Sequence, residues 1–282
     1  AATGEEVLSL HGRERRWVSV VSWSPDGSRI ITDDISGTTA HIWDAATGEE
    51  LLSLHGHNQW ACALAWSPDS SRVATGSHDD TVRVWDAATG QTQLVLGAGN
   101  SVETVSWSPD GTRLSIGAKI GGNRVWDAAT GQPRLTVDNG ARELSEVVWS
   151  PDGTRLATSS YLSPRVLILD ASTGDVVQAL TAGEDDVNDI AWSPDSERIL
   201  TGLGDDRAAI WDAARGERLL TLEGHSDMIT SVAWSPNGQR ALTGSQDGTA
   251  RIWDAATGEV IHTYTGNWVR DVVWTQGGPR VV

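Results

Sequence analysis

The chain has 282 residues, a formal net charge of −17, fifteen tryptophans and one cysteine. The negative charge argues against nucleic acid and anionic membranes as partners, since both require a basic protein surface. Cys62 is the single cysteine, which excludes an internal disulfide and a cysteine metal site. The sequence has no apolar run of roughly 18 residues that could cross a membrane and no visible signal peptide, so we expect a cytoplasmic domain.

A repeat of 40 to 43 residues runs through the whole sequence. The tryptophan of a Trp-Ser-Pro motif, or a near match, stands at positions 23, 66, 107, 149, 192, 234 and 274. A second motif, Trp-Asp-Ala-Ala-Thr-Gly with variants, places its aspartate at positions 44, 86, 127, 170, 212 and 254. A period of this length indicates a repeat architecture. We therefore interpret the chain as one array of seven similar units.

One unit, residues 57–96, illustrates the predicted elements. Four short runs rich in Val, Leu, Trp, Thr and Ala occupy residues 60–66, 72–76, 81–85 and 92–96. Turn sequences separate them: Ser-Pro-Asp-Ser, His-Asp-Asp and Ala-Ala-Thr-Gly. Short strands at this spacing predict an antiparallel sheet, because no segment has helical periodicity with caps.

A four-stranded sheet cannot bury both of its faces alone. Seven such sheets can do so if they pack face to face around an axis, which is the β-propeller arrangement. A linear stack would need distinct polar caps at its two ends, and the sequence has none. We therefore predict an all-β, seven-bladed β-propeller of four-stranded antiparallel sheets in a single domain.

The motif Trp-Ser-Pro-Asp-Gly, followed by Ala-Thr-Gly-Ser, Trp-Asp and Gly-His, resembles the WD-repeat propellers, and the resemblance covers essentially the whole chain. In that family the strands are lettered a to d from the axis outward. The Trp-Ser-Pro strand is then a, and the Trp-Asp strand is c. The predicted blades are residues 17–54, 59–96, 101–137, 142–180, 186–222, 228–264 and, for blade 7, residues 268–282 together with 1–12.

Blade 7 is incomplete in the sequence. Ala1 aligns with Ala255 and Val282 aligns with Leu242, so the two termini bracket a segment that blade 6 carries as residues 243–254. We expect residues 1–12 to form strand d and residues 268–282 to form strands a and b, with strand c absent. A strand d without a neighbour would leave buried amides unpaired. We infer a trimmed chain, or a strand supplied by a tail or a partner; the alternative is that the seventh blade is absent and the termini are frayed.

The resemblance also implies a hydrogen-bonded tetrad of His, Ser, Asp and Trp within a blade. Buried polar groups must be paired, and a network of four can fasten a loop to the sheet. Blades 2 and 6 match in full, whereas the other blades lack one or more members, such as Ala98 for the histidine of blade 3 or Leu169 for the tryptophan of blade 4. The two sets are His57, Ser77, Asp79 and Trp85, and His225, Ser245, Asp247 and Trp253.

Catalytic and metal-binding interpretations of these residues are weak. His57, Ser77 and Asp79 could suggest a hydrolase triad, but the same grouping recurs in blade 6, as expected of a structural device. The sequence has no Gly-x-Ser-x-Gly, no His-Glu-x-x-His and no phosphate loop with Lys. The acidic pairs at 33–34, 79–80, 185–186 and 205–206 lack a calcium-loop pattern, so we interpret them as solvated turn residues. We expect no cofactor and no metal, and we expect Cys62 to be a buried, inert thiol.

Three tryptophans lie outside both motifs and share one slot, six residues before a strand-a tryptophan. By resemblance, this slot opens strand a on the face that family members commonly use for partners, around the central channel. Met228 occupies it in blade 6, so we predict one apolar crescent across blades 6, 7, 1 and 2, with arginines at its margin. Exposed Trp and Arg are favoured at protein interfaces. The crescent is formed by Met228, Trp268, Trp17 and Trp60, flanked by Arg15, Arg16 and Arg270.

Two other interpretations of these surfaces stay open. The tryptophans could pack on neighbouring blades or fill the channel. The irregular b–c hairpins at 118–123 and 160–165 could be a second contact surface or sequence drift. The opposite side of the predicted face carries Glu184, Asp185 and Asp186, which would give a docking site an uneven charge.

The predicted function is a non-catalytic scaffold that binds a protein or peptide segment on the channel face, as a monomeric domain. The near-identical repeats resemble bacterial WD-repeat proteins, in which the propeller often follows another domain, notably a serine/threonine protein kinase. We therefore expect a larger signalling protein, an expectation that rests on analogy at the level of the fold. The alternatives are an enzyme or ligand-binding propeller that uses the channel, and a purely structural spacer.

Overall fold

A computed structural model describes residues 18, 20–34, 37–119, 123–137, 144–160, 163–183, 186–266, 268–275 and 278–281. Blade 1 contains β1 (Val21–Trp23), β2 (Arg29–Thr32), β3 (Thr39–Asp44) and β4 (Glu50–His55). Blade 2 contains β5 (Ala61–Trp66), β6 (Arg72–Ser77), β7 (Thr81–Asp86) and β8 (Thr92–Gly97). Blade 3 contains β9 (Val102–Trp107), β10 (Arg113–Ala118), β11 (Asn123–Asp127) and β12 (Pro133–Val137).

The remaining strands follow the same order. Blade 4 contains β13 (Leu144–Trp149), β14 (Arg155–Ser160), β15 (Arg165–Asp170) and β16 (Val176–Thr181). Blade 5 contains β17 (Val187–Trp192), β18 (Arg198–Leu203), β19 (Ala208–Asp212) and β20 (Arg218–Leu222). Blade 6 contains β21 (Ile229–Trp234), β22 (Arg240–Ser245), β23 (Thr249–Asp254) and β24 (Val260–Thr265). Blade 7 contains β25 (Val272–Thr275) and β26 (Gly278–Val281).

Among the described residues, six sheets have four strands in sequence order and one sheet has two strands. Every strand pairing with a described register is antiparallel, as in blade 2, where Ala65 pairs with Ala74 and Val73 with Trp85. The predicted all-β class is therefore confirmed, and the set of sheets agrees with a seven-bladed propeller. The predicted strand d of blade 7, residues 1–12, lies outside the described residues, so the joining of the two termini in one blade stays a prediction.

The chain divides into two compact units, one within residues 4–147 and the other within residues 148–282. In each unit, the buried apolar clusters draw side chains from two successive blades. One cluster joins Val84 and Leu96 of blade 2 to Leu114 and Trp126 of blade 3. Another joins Ile210 and other residues of blade 5 to blade 6. The core thus lies between sheets, which is why a single repeat would not be stable alone.

Turn residues set the ends of the strands. In blade 1, the Ser24 hydroxyl donates to Asp26 and accepts the amide of Arg29, while the amide of Gly27 donates to the Ser24 carbonyl. The hydrogen bond from Ser24, followed by those from Ser28, lowers the pKa of Asp26 to about 2. Gly27 has a φ of 72°, which favours glycine. The Ser-Pro-Asp-Gly sequence therefore fixes a tight a–b turn.

An arginine at the start of strand b connects each of four blades to the next one. In blade 2, the Arg72 guanidinium lies 4.4 Å from the ring centre of Trp107 in blade 3 and donates to the carbonyls of Gly111 and Ala128. The Trp107 indole in turn donates to the carbonyl of Ala65. Cation–π contacts of this kind stabilise by about 0.5–2 kcal/mol. The same arginine-over-tryptophan contact occurs at Arg29 and Trp66, Arg155 and Trp192, and Arg198 and Trp234.

Glycines in strand b allow the next blade to approach closely. A Cβ placed on Gly76 would lie 2.4 Å from Cγ1 of Val102 in blade 3, and one on Gly244 would lie 2.6 Å from Cγ1 of Val269 in blade 7. A side chain at either position would therefore force the sheets apart. This packing explains the glycine of the repeated Thr-Gly-Ser sequence.

Candidate functional site

The two predicted tetrads form nearly superimposable hydrogen-bond networks. In blade 2, His57 Nδ1 lies 3.0 Å from Asp79 Oδ2, and His57 Nε2 lies 2.7 Å from Thr75 Oγ1. Trp85 Nε1 donates to the same threonine hydroxyl at 2.8 Å. Blade 6 repeats these distances, with 2.8 Å for His225 to Asp247, 2.7 Å for His225 to Thr243 and 2.8 Å for Trp253 to Thr243.

The Trp85 indole limits where the protons of this network can lie. An indole N–H can only donate, so the Thr75 hydroxyl accepts from Trp85, and its own proton can be donated to Nε2 of a neutral His57. The Nδ1 proton of a neutral His57 is then donated to Asp79. Burial lowers the pKa of His57 and likewise that of His225, despite the opposing effect of the paired aspartates. The geometry and the pKa direction agree on a neutral imidazole.

A threonine links the histidine to the tryptophan, and the sequence analysis missed it. It assigned the serine to the network, but Ser77 donates to the carbonyl of Gln59 and accepts the amide of Asp79. Ser77 thus fastens the loop that precedes strand a. The missing signal was present in the sequence, because a threonine recurs three residues after the arginine of strand b, at Thr32, Thr75, Thr158, Thr201 and Thr243.

Blades 3 and 4 each keep only one member of the threonine–tryptophan pair. In blade 3, Ile116 replaces the threonine, and Trp126 Nε1 has no hydrogen-bond partner among the described residues. In blade 4, Leu169 replaces the tryptophan, and the hydroxyl of Thr158 lacks a partner in the same sense. Unpaired buried polar atoms of this kind cost stability. Blades 3 and 4 are therefore each locally destabilised by a buried polar atom that has a partner in blades 2 and 6.

Trp60 is held against the neighbouring blade. Its indole nitrogen donates to Asp33 Oδ2 in blade 1 at 3.0 Å, and its ring meets His78 edge-on, with 5.1 Å between ring centres. The ring is only partly exposed. The geometry therefore favours, for this residue, the alternative in which a crescent tryptophan packs on a neighbouring blade.

The acidic pair at 33–34 is not solvated, so that interpretation was wrong for this pair. Asp33 is 1% exposed and Asp34 is 2% exposed. Asp33 accepts the Val20 amide as well as the Trp60 indole. The two aspartates replace the Gly-Ser of the standard repeat, and the buried Asp33 carboxylate accepts one backbone and one side-chain donor.

Trp268 is the most exposed of the large apolar side chains described, at 60%. The residue that follows it is anchored: Val269 is 4% exposed, its amide donates to the Ser245 carbonyl, and its own carbonyl accepts the Thr230 hydroxyl. Arg270 is exposed beside it. The backbone thus presents an indole and a guanidinium from a fixed position.

Met228 lies in the adjoining loop, and Ser245 connects the two loops. The Ser245 hydroxyl donates to the carbonyl of Asp227, while the Ser245 carbonyl accepts the amide of Val269. Met228 is partly exposed. Ser245 therefore links the loop that carries Met228 to the loop that carries Trp268, and a shared surface of the two side chains stays a prediction.

The other predicted members fall outside the described residues. These are Trp17, Arg15 and Arg16, together with Glu184 and Asp185 of the acidic side, and parts of both irregular hairpins. The continuity of the crescent depends on Trp17, so it stays a prediction. Asp186 is described and accepts the Gly204 amide with its carbonyl.

Cys62 occupies a structural slot. Its thiol lies 3.1 Å from the carbonyl of Val102 in the next blade and donates to it. Asn188 and Thr230 stand at the same position of their blades, four residues before the strand-a tryptophan, and donate to the carbonyls of Ile229 and Val269. Burial, assisted by the charges of Glu103 and Asp33, raises the pKa of the thiol to about 12.

Comparisons with known families agree with this architecture. The WD domain, G-beta repeat model matches residues 4–44, 48–86 and 216–254, and each match ends at a Trp-Asp aspartate. The anaphase-promoting complex subunit 4 WD40 domain model matches residues 120–195. A comparison with curated proteins finds no match.

The described ranges contain no helix with the length and apolar character to cross a bilayer. Nor do they contain a group of three His, Cys, Asp or Glu side chains that could hold a metal ion. Taken with the repeated four-stranded sheets, the matches to two WD40 models show WD40 repeats in this chain and support a WD-repeat β-propeller family.

Proposed function

We propose that the chain is a non-catalytic scaffold that binds a protein or peptide segment through the loops that open strand a. The proposal is supported most by one observation, the 60% exposure of Trp268 on a loop whose next residue is buried at 4%. An indole held in this way loses little freedom when a partner covers it, so its apolar area contributes to binding.

The chemistry around Trp268 defines the partner. Arg270 adds an exposed guanidinium, and Met228 adds an adaptable apolar surface on the same support. We propose a peptide segment with an apolar side chain for Trp268 and Met228 and an acidic group for Arg270. Trp17, Arg15 and Arg16 belong to the proposed site by their position in the sequence. Trp60 stabilises the neighbouring loop rather than contacting the partner through its N–H, because that N–H donates to Asp33.

The wider setting is also a proposal. The domain is monomeric and cytoplasmic, binds neither nucleic acid nor membrane, and belongs to a larger bacterial signalling protein such as a serine/threonine kinase. Support comes from the net charge of −17 and the near identity of repeated sequences, for example residues 1–12 and 45–56, which differ at one position. Isolation of the native protein from its source tests this: kinase peptides and a mass above 30.1 kDa are expected in mass spectrometry.

The binding proposal is tested by a pull-down from the source organism with three forms of the domain: wild type, Trp268→Ala and Ile261→Ala. Ile261 is the matched control, since it is apolar and 46% exposed but lies on the outer strand β24. We expect the partner to be retained by wild type and Ile261→Ala and lost by Trp268→Ala. Equal retention by all three forms would exclude Trp268 from the binding surface.

A further inference from the structure

A bulge sets the second residue of strand d apart from its neighbours. In blades 2, 3 and 4 the pairing with strand c passes over this residue, which is Gln93, Arg134 and Val177 in turn. In the first two blades its side chain donates to Oδ2 of the aspartate that ends strand c. Gln93 lies 3.4 Å from Asp86, and Nε of Arg134 lies 3.2 Å from Asp127, with Nη2 as a second donor. A polar bulge residue therefore satisfies the second oxygen of this aspartate.

Blade 4 keeps the aspartate, Asp170, but its bulge residue cannot donate. Oδ1 of Asp170 accepts the amides of Ser172 and Thr173 and the Ser172 hydroxyl. Oδ2 has no hydrogen-bond partner among the described residues, because the side chain of Val177 is apolar. Hydrogen bonds led by that from the Ser172 hydroxyl lower the pKa of Asp170, so the carboxylate is charged at neutral pH. Asp170 thus offers one negatively charged oxygen for a further donor.

This carboxylate lies in a groove between blades 4 and 5. The groove has a volume of about 340 Å³, which is at the small end of the range for ligand pockets, about 300–1,000 Å³. A volume of this size suits one long side chain better than a large ligand. The lining includes Asp170, Val177 and Gln178 of blade 4 and Ala213 and Ala214 of blade 5.

Gln178 lines the groove where other blades have an apolar residue. Its amide nitrogen donates to the Ala214 carbonyl at 3.2 Å, and its amide oxygen accepts the Ala179 amide at 2.9 Å. Both polar ends of Gln178 are therefore engaged away from Asp170. Leucine stands at the equivalent position of strand d in four other blades, as Leu52, Leu94, Leu135 and Leu220.

Arg155 also lines the groove, but its guanidinium is held by blade 5. The guanidinium lies 4.9 Å from the ring centre of Trp192 and donates to the carbonyl of Ser196. In the part of the chain that the structure describes, Arg155 forms no ion pair with Asp170. The charge of Asp170 is therefore not neutralised by a contact within the groove.

We propose that the groove between blades 4 and 5 binds an arginine side chain of a partner peptide, with its guanidinium on Oδ2 of Asp170 and its stem against Val177. The chain itself contains a model of this contact, because Arg134 makes it to Asp127 within blade 3. An arginine in a peptide is favoured over a free one, since Val176 and Val177 are 53% and 52% exposed and offer apolar contact to its neighbours.

The groove is separate from the site of the proposed function. It lies at the end of strand c, whereas Trp268 lies where the chain enters strand a, at the opposite end of the strands. Each site can therefore bind or fail to bind independently of the other.

The test uses the 282-residue chain and a fluorescein-labelled peptide with the sequence of residues 132–137, Gln-Pro-Arg-Leu-Thr-Val, which carries the arginine of blade 3. We expect saturable binding by anisotropy, with shifts of the Ser172 and Thr173 amide resonances. A peptide with citrulline, the uncharged isostere, in place of arginine should bind about tenfold more weakly or less. The protein variant Asp170→Asn, which keeps Oδ1 as an acceptor for the turn, should weaken binding of the arginine peptide by a similar factor.

Val177→Arg is a second variant, because it copies blade 3 and should occupy Asp170 from within the chain. We expect it to abolish peptide binding. Leu219→Arg is the matched control: Leu219 is the exposed bulge residue of blade 5, where Oδ2 of Asp212 already accepts Arg215. This control should bind the peptide like wild type, and the thermal midpoint of each variant shows that the fold is intact.

Four outcomes would overturn the proposal. The first is that the arginine peptide does not bind, and the second is that Val177→Arg and Leu219→Arg bind it equally. The third is that a peptide with citrulline or glutamate in place of arginine binds as tightly, since glutamate would suit Arg155 instead. The fourth is that acetyl-arginine amide binds as tightly as the peptide, which would indicate a small-molecule site.

Discussion

The indole nitrogen of Trp60 and the carboxylate of Asp33 are joined by a 3.0 Å hydrogen bond across the junction of blades 1 and 2. We predict that Trp60→Phe, which keeps a six-membered aromatic ring but removes the N–H and the five-membered ring of the indole, lowers the free energy of unfolding by about 1–3 kcal/mol, because the buried Asp33 loses this donor. Urea denaturation measures the change. In the Asp33→Asn background, Trp60→Phe should lower the free energy of unfolding by less than it does in the wild type. If the effects of the two substitutions simply add, the coupling between Trp60 and Asp33 is contradicted.

Thr→Val should have opposite effects in different blades. In blade 4 the hydroxyl of Thr158 has no partner among the described residues, so Thr158→Val should stabilise the protein by about 0.5–1 kcal/mol. In blades 2 and 6 the equivalent Thr75→Val and Thr243→Val remove the link between His and Trp, and each should destabilise by about 1–3 kcal/mol. Thermal and urea unfolding of the three variants measure this. The prediction fails if the sign is the same at all three sites.

Stability should fall with acid in two steps. Burial lowers the folded-state pKa of His57 and His225 below the ordinary 6.5. The unfolded chain therefore binds more protons than the folded one as the pH falls from 6.5 through the folded pKa, and the free energy of unfolding decreases there. Burial alone would raise the pKa of Asp247, but hydrogen bonds led by that from Thr249 lower it from 3.8 to about 2, which gives a second loss in that range.

The first step is measured by urea unfolding at about pH 7.5 and about pH 4.5. The double variant His57→Gln with His225→Gln should be less stable at the higher pH and should show a smaller decrease between the two values. His262→Gln, at an exposed position, is the control and should keep the wild-type decrease. An unchanged decrease in the double variant would show that other groups cause it.

The Cys62 thiol should be unreactive in the folded protein. With a pKa of about 12, its thiolate is scarce at about pH 8. We expect a disulfide reagent to modify less than a tenth of Cys62 in the time that fully modifies the protein in denaturant. Cys62→Thr should retain stability, because Thr230 fills the same slot in blade 6, whereas Cys62→Val should lower it. Rapid modification of the folded protein would contradict this assignment.

The repeat spacing and turn sequences were sufficient to predict the sheets. The runs predicted at 72–76 and 81–85 are the strands Arg72–Ser77 and Thr81–Asp86. Turn chemistry is local, so the sequence displays it directly. Contacts between residues distant in the sequence are not displayed in this way: Thr75 was overlooked because its partners, in the same repeat, are 18 and 10 residues away. The burial of Asp33 depends on Trp60 of another blade, and no pattern within one repeat could indicate it.

The arginine that lies over the next blade's tryptophan has a consequence for how such a chain can change. Arg72 uses only backbone carbonyls and an invariant ring of its neighbour, so this contact does not depend on which repeat follows. This contact can then survive an exchange of repeats, while the surface loops diversify. We expect a chimera in which the blade 5 segment replaces that of blade 2 to keep the arginine-over-tryptophan contact and to lose the Trp60–Asp33 bond at the junction with blade 1.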